Sequence, residues 1–415
     1  MEPITLVIIG GAGAIAFYMA WSIGSNDVAN SMATAVGAKA ITFKQAVVIA
    51  GVLNVLGAVL VGKGVTDTVR KGILDTAQFN NYGGDPLQNP LLLGFIASLL
   101  AAAIWVTLST WKEMPISTTH SIIGALMGFG LIAGGTSVVQ WTVVGKVVAS
   151  WMLSPVFGCV LAFLTFKIIV KTIFSKDNPV EAAKIVGPIL IGFTAMLISS
   201  SLFLKTELKN KINVTETEGM IISLVVAVIV TISMFLVFRK IKAKSSEDYA
   251  TVESIFRKLQ IGTSCYVAFA HGANDVANAI GPVAGIIPLA GIPLTDDMVI
   301  GILTLGGVGI AVGCLTWGRR VMKTVGTRIT SLTNTRGFSV DFGAATTVLV
   351  ASKLGMPIST SHTVVGAVIG VGLARGLEAV NLNVIKKIVA SWLLTLPVAA
   401  GTSIIIFLCL RTIAG

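Results

Sequence analysis

Charged side chains are scarce in this chain. Asp, Glu, Lys and Arg together make up 12% of its 415 residues, against 54% hydrophobic residues, which is about half the charged share usual in soluble domains. With a mean hydropathy of +0.89, this excludes an ordinary soluble domain and implies a polytopic membrane protein. Cysteine is equally sparse. Cys159, Cys265, Cys314 and Cys409 stand singly in apolar runs, without the paired spacing of a metal or redox site, and read as packing residues. A concentrated basic arm is also missing. The net charge is +11, yet the Lys and Arg residues are spread over short connecting segments, which argues against nucleic acid and fits the basic enrichment of cytoplasmic loops in membrane proteins. No Lys or Arg precedes Lys39, so a basic signal-peptide start is lacking and residues 1–20 are expected to be a retained first helix, with the N-terminus outside.

What the chain does have is long apolar runs. Residues 4–20, 91–110, 143–166, 185–204, 220–238, 298–317 and 388–410 approach or reach the roughly 20 apolar residues of a spanning helix. Segments 122–133 and 364–374 are too short to span, and each follows a Pro and several hydroxyl residues. Residues 62–90, with Asp67, Arg70, Lys71, Asp75 and Asp85, are too hydrophilic to span. The basic loop 239–258 and the segment 167–184 are expected on the cytoplasmic side.

Three signatures occur twice, in the same order. Gly24-Ser25-Asn26-Asp27-Val28-Ala29-Asn30 is matched by Gly272-Ala273-Asn274-Asp275-Val276-Ala277-Asn278, and Met114-Pro115-Ile116-Ser117-Thr118-Thr119-His120 by Met356-Pro357-Ile358-Ser359-Thr360-Ser361-His362. Lys146 to Trp151 is matched by Lys387 to Trp392. The chain therefore reads as a duplication: a first transmembrane repeat at 1–170, two connecting spans and a basic loop at 171–258, and a second repeat at 259–415. With a further span at 46–61, five membrane elements in the first repeat and two between the copies would turn the second copy upside down. The expected fold is an all-α polytopic membrane protein of about 12 transmembrane segments, with two inverted-topology repeats, broken helices and re-entrant half-helices.

An ionisable group at membrane depth usually marks an ion or substrate path, and here Asp27 and Asp275 recur with Asn26, Asn30, Asn274 and Asn278. Glycine and short polar residues are expected to loosen the helix at both motifs. The half-helix starts at Ser117 and Ser359 would aim unpaired amides and the positive dipole end inward, with Thr118, Thr119, Thr360 and Ser361 adding hydroxyl donors suited to a tetrahedral oxyanion. Two carboxylates would repel such an anion unless cations lie between them, where opposite charges about 4 Å apart attract by roughly 4 kcal/mol at an effective dielectric near 20. Carboxylate, carboxamide, hydroxyl and carbonyl oxygens are hard donors that suit sodium. Each residue also has a duller role: the Asn side chains tie helices together, the Ser and Thr residues cap, and His120 and His362 anchor helices. His271 has no twin, because Ile23 holds its place, and receives no role.

These motifs resemble those of the inorganic phosphate transporters that couple phosphate uptake to sodium or protons. The resemblance covers nearly the whole chain. It implies a sodium/phosphate symporter of the PiT type, with Asp27 and Asp275 as cation ligands, the two hydroxyl clusters at the phosphate, and sodium as coupling ion with no other cofactor. It also implies a homodimer in the cell inner membrane. Three positions depart from the family pattern: Ser25 where Ala is common, Asn54 where relatives often carry a carboxylate, and Asp341 where they often carry Glu. The runner-up is a proton-coupled phosphate or sulfate transporter. From another class, the two aspartates could be the acid and base of a membrane protease; a purely structural protein would leave the duplicated carboxylates without a reason.

Overall fold

The computed structural model describes residues 3–63, 73–79, 88–205, 214–241, 248–353 and 358–414. Asp67, Arg70, Lys71, Asp85, Lys242, Lys244, Met356 and Pro357 lie outside them. The apolar runs become helices, which satisfy their own backbone groups where water is absent. In chain order these are α1 (Pro3–Gly37), α2 (Phe43–Val61), α3 (Pro90–Trp111), α4 (Thr118–Gly134), α5 (Trp141–Ile169), α6 (Pro179–Lys205), α7 (Glu216–Phe238), α8 (Tyr249–Leu289), α9 (Asp296–Thr316), the short α10 (Arg319–Lys323), α11 (Asn334–Lys353), α12 (Thr360–Leu373) and α13 (Leu382–Ala414). Eight of them, α1, α2, α3, α5, α6, α7, α9 and α13, are long and apolar enough to cross a membrane, while α4 and α12 are shorter apolar helices. Helix α8 is long enough, but Asn274, Asp275 and Asn278 dilute its apolar stretch.

The packing partners of the two halves exchange. Helix α1 packs on α9 as α8 packs on α2; α4 packs on α13 as α12 packs on α5; α3 meets α4 as α11 meets α12. Helices α1 and α8 also pack on each other, and so do α2 and α9. Gly51 faces Ala311 and Gly307 faces Val55, so α2 and α9 run antiparallel. Helices α6 and α7 form a hairpin, with α6 leaning on α8.

The short helices begin as expected. Ser117 and Ser359 occupy matching N-caps, at φ −89°, ψ 115° and φ −90°, ψ 119°, and accept from the amides of His120 and His362 at 3.2 and 3.3 Å.

The motif helices, by contrast, are unbroken. Helix α1 runs continuously through Gly24-Ser25-Asn26-Asp27, and α8 through Gly272-Ala273-Asn274-Asp275. The reason lies in packing: a Cβ on Gly24 would sit 1.9 Å from the carbonyl oxygen of Ile310, and one on Gly272 2.2 Å from that of Asn54. These glycines serve close helix approach, so the carbonyls stay in the helical ladder. Gly24→Ala forces backbone against backbone and is expected to destabilise by about 1–3 kcal/mol. A purified variant melting at the wild-type temperature would contradict this packing role.

Candidate functional site

Helix periodicity assembles the site. Asp27 and Asn30 stand three residues apart on one face of α1; on α8, Asp275 and Asn278 repeat that spacing, with His271 four residues before Asp275. The starts of α4 and α12 close on this seam. Asp27 and Asp275 are both 1% exposed.

Asp27 is well served. Its Oδ2 accepts from the Thr118 hydroxyl at 2.6 Å, and its Oδ1 accepts from the Ser361 hydroxyl and the Asn30 amide, both at 3.1 Å. Hydrogen bonds to a charged group contribute about 1.5–3 kcal/mol each, so one carboxylate holds the starts of both short helices. Asp275 has weaker partners. Among the described residues its Oδ1 receives only the long contacts from Asn274 and Asn278, at 3.3 and 3.5 Å, and its Oδ2 accepts no hydrogen bond.

That bare oxygen faces His271. The imidazole Nε2 lies 3.1 Å from Asp275 Oδ2 and 3.6 Å from Asp27 Oδ2. Its other nitrogen, Nδ1, is 2.6 Å from Asn54 Oδ1, while the Asn54 amide donates to the Ala50 carbonyl at 2.7 Å. With its amide so committed, Asn54 can only accept from Nδ1–H, so in the neutral ring Nε2 turns a lone pair toward two carboxylates. These three groups lie within 4.8 Å of one another. Three acceptors at that separation repel, so the cluster is stable only with a positive ion on it or among them. It can bind a proton or a small cation.

The hydroxyls converge here too. Asn30 donates to Ser361 at 2.9 Å and to Thr360 at 3.4 Å, and Asn278 donates to Thr119 at 3.1 Å. Asp27, Asn30, Asp275, Asn278, Thr118, Thr119, Thr360 and Ser361 thus form one neighbourhood. Others of the expected residues sit elsewhere. Ser117 and Ser359 spend their side chains as caps. Asn26 braces the chain ahead of α4, donating to the Thr110 hydroxyl at 2.9 Å and the Met114 carbonyl at 3.1 Å, and accepting from the Ile116 amide at 3.2 Å. Asn274 is exposed and, among the described residues, reaches only its neighbour Asp275.

His271 is the residue that sequence reasoning missed. The absence of a twin removed it from a search based on repetition, although its four-residue spacing from Asp275 was a visible signal. Asp341, on α11, is a separate buried carboxylate that accepts from Thr34 and Ser264 at 2.7 Å and from Thr263 at 3.2 Å. His120 accepts from Trp151 at 2.9 Å, His362 stacks on Trp392, and the two imidazoles meet edge to face at 5.0 Å. They join the short helices to α5 and α13.

Buried carboxylates set against two capped helix starts, inside a bundle of helices long and apolar enough to cross a membrane, fit a membrane carrier for small ions. A family model described as the phosphate transporter family matches residues 23–403. A protein named a phosphate permease from Thermococcus kodakarensis is 49% identical over 410 residues, 98% of each chain. The inorganic phosphate transporter 2-1, chloroplastic, of Arabidopsis thaliana is 40% identical over 94% of this chain and 70% of its own. A solved structure described as the sodium-dependent phosphate transporter shares 44% identity and a TM-score of 0.87, covering 98% of this chain and 100% of that one. The chain belongs to the phosphate transporter family. It is an integral membrane phosphate transporter and not an enzyme, which removes the protease reading of Asp27 and Asp275.

Proposed function

We propose that the protein is a secondary active symporter that imports inorganic phosphate with sodium ions by alternating access. One observation carries this: Asp27, His271 Nε2 and Asp275 converge within 4.8 Å, beside hydroxyls from two helix starts. Sodium ions lodge among Asp27, Asn30, Asp275 and Asn278 and offset the carboxylate charge. Phosphate then meets the amide ends and the hydroxyls of Thr118, Thr119, Thr360 and Ser361. Each ion raises the affinity for the other, because coupling between two sites is reciprocal. The name of the solved relative, which is sodium-dependent, supports the choice of ion.

In this reading residues 1–170 and 259–415 are inverted repeats about the connecting spans 171–258, and the segments number about 12, as in carriers with midplane sites. The exchanged packing partners and the antiparallel course of α2 and α9 support it. The reading also holds that the protein is a homodimer in the cell inner membrane, N-terminus outside. Lys167 in the last turn of α5, Lys171 just after it, and Arg239 and Lys240 after α7 would then be cytoplasmic.

A specific observation favours the runner-up as well. A histidine between two carboxylates is a natural proton site, so proton-coupled uptake stands as the second reading. The test is phosphate uptake into proteoliposomes at fixed pH with sodium exchanged for choline. Sodium coupling requires uptake to collapse in choline. Unchanged uptake would discard sodium, and a response to an imposed pH gradient alone would establish the proton reading.

A further inference from the structure

Away from the ion site, the end of α3 and the start of α13 enclose a groove of ≈ 350 Å³, within the size range of small-ligand sites. The two helices are antiparallel. Ser98 lies against Ser403, and Trp105 donates to Thr395 at 3.2 Å, so continuing along the seam brings Lys112 beside Lys387. The groove is layered accordingly. Lys112 and Lys387, both exposed, stand at its outer end, and Trp105, Leu108, Ala390 and Leu394 form the walls leading inward. No acidic residue lines it, and neither lysine has an ion pair among the described residues. Lys112 instead lies over the Trp111 ring at 4.5 Å. Positive charge at the rim and apolar walls below match an amphiphile with an anionic head.

We propose that this groove binds an anionic phospholipid, its phosphate between Lys112 and Lys387 and the first part of an acyl chain along Trp105 and Leu394. The site touches the transport machinery from behind. Met114 lines the groove, and its carbonyl is held by Asn26; the next carbonyl, of Pro115, accepts from Trp392 at 3.1 Å. Two residues further on, Ser117 caps α4, whose Thr118 bonds Asp27. A bound lipid therefore steadies the hairpin that carries Thr118 and speeds uptake without touching the transported ions.

The test compares wild type with the Lys112→Gln, Lys387→Gln double variant. Delipidated protein is titrated with phosphatidylglycerol or phosphatidylcholine and bound lipid is read by native mass spectrometry, with inorganic phosphate alone as control. Juxtamembrane lysines each contribute about fivefold to anionic-lipid affinity, so the variant should bind phosphatidylglycerol about 25-fold more weakly and phosphatidylcholine equally. In phosphatidylcholine vesicles both proteins should take up phosphate at the same rate, and adding phosphatidylglycerol should accelerate the wild type alone. Equal phosphatidylglycerol binding by both proteins overturns the proposal, as does a shift of the variant to a smaller oligomer, which would mean that a second copy fills the groove. The binding measurement involves no transport and stands whether or not sodium is the coupling ion.

Discussion

Asp275→Asn is expected to lower sodium-driven phosphate uptake by about two orders of magnitude while the protein stays folded. The substitution removes a charge and little else. One carboxylate–cation contact near 4 Å is worth roughly 4 kcal/mol at an effective dielectric of 20, so a loss of two orders, about 2.7 kcal/mol, needs only part of it. Folding is spared because, among the described residues, Asp275 Oδ2 accepts no hydrogen bond and its Oδ1 has only two long contacts, which an amide oxygen can also accept. Uptake in proteoliposomes and melting of the purified variant check both halves of the expectation. Wild-type sodium-driven uptake by this variant would remove Asp275 from the cation site, and a protein that no longer melts cooperatively would show that its charge serves the fold.

The second large effect concerns linkage. In the wild type, sodium should raise phosphate affinity by about 10- to 100-fold, within the usual range of coupling between sites, and phosphate should raise sodium affinity by the same factor. Asp27→Asn should bring both factors close to one. Here the local structure changes too, because Asp27 holds Thr118 and Ser361, so intrinsic phosphate affinity should fall as well. Equilibrium binding of phosphate with sodium or choline measures the factor directly. Phosphate bound equally tightly by the wild type in both salts would end the idea that cations reconcile the carboxylates with the anion.

The sequence showed the spans because hydropathy is a local property, and it showed the starts of α4 and α12 because Pro115 and Ser117, like Ser359, announce a capped helix. It misled at Gly24 and Gly272. A glycine beside polar residues reads equally well as a loosened turn or as a contact face, and only the partner decides; here the partners are the backbones of Ile310 and Asn54. The same ambiguity hid the division of labour among the hydroxyls. Ser117 and Thr118 are adjacent in the chain, yet one side chain turns back to the His120 amide and the other reaches Asp27. His271 escaped because repetition was the guide to importance, and its value comes from Asn54 and two carboxylates on three different stretches of chain.

Asp27 clasps both short helices and Asp275 clasps neither, so the two copies of the motif have ceased to be interchangeable. Losing the Asp27 carboxylate would unfasten both short helices together, whereas losing that of Asp275 would unfasten neither.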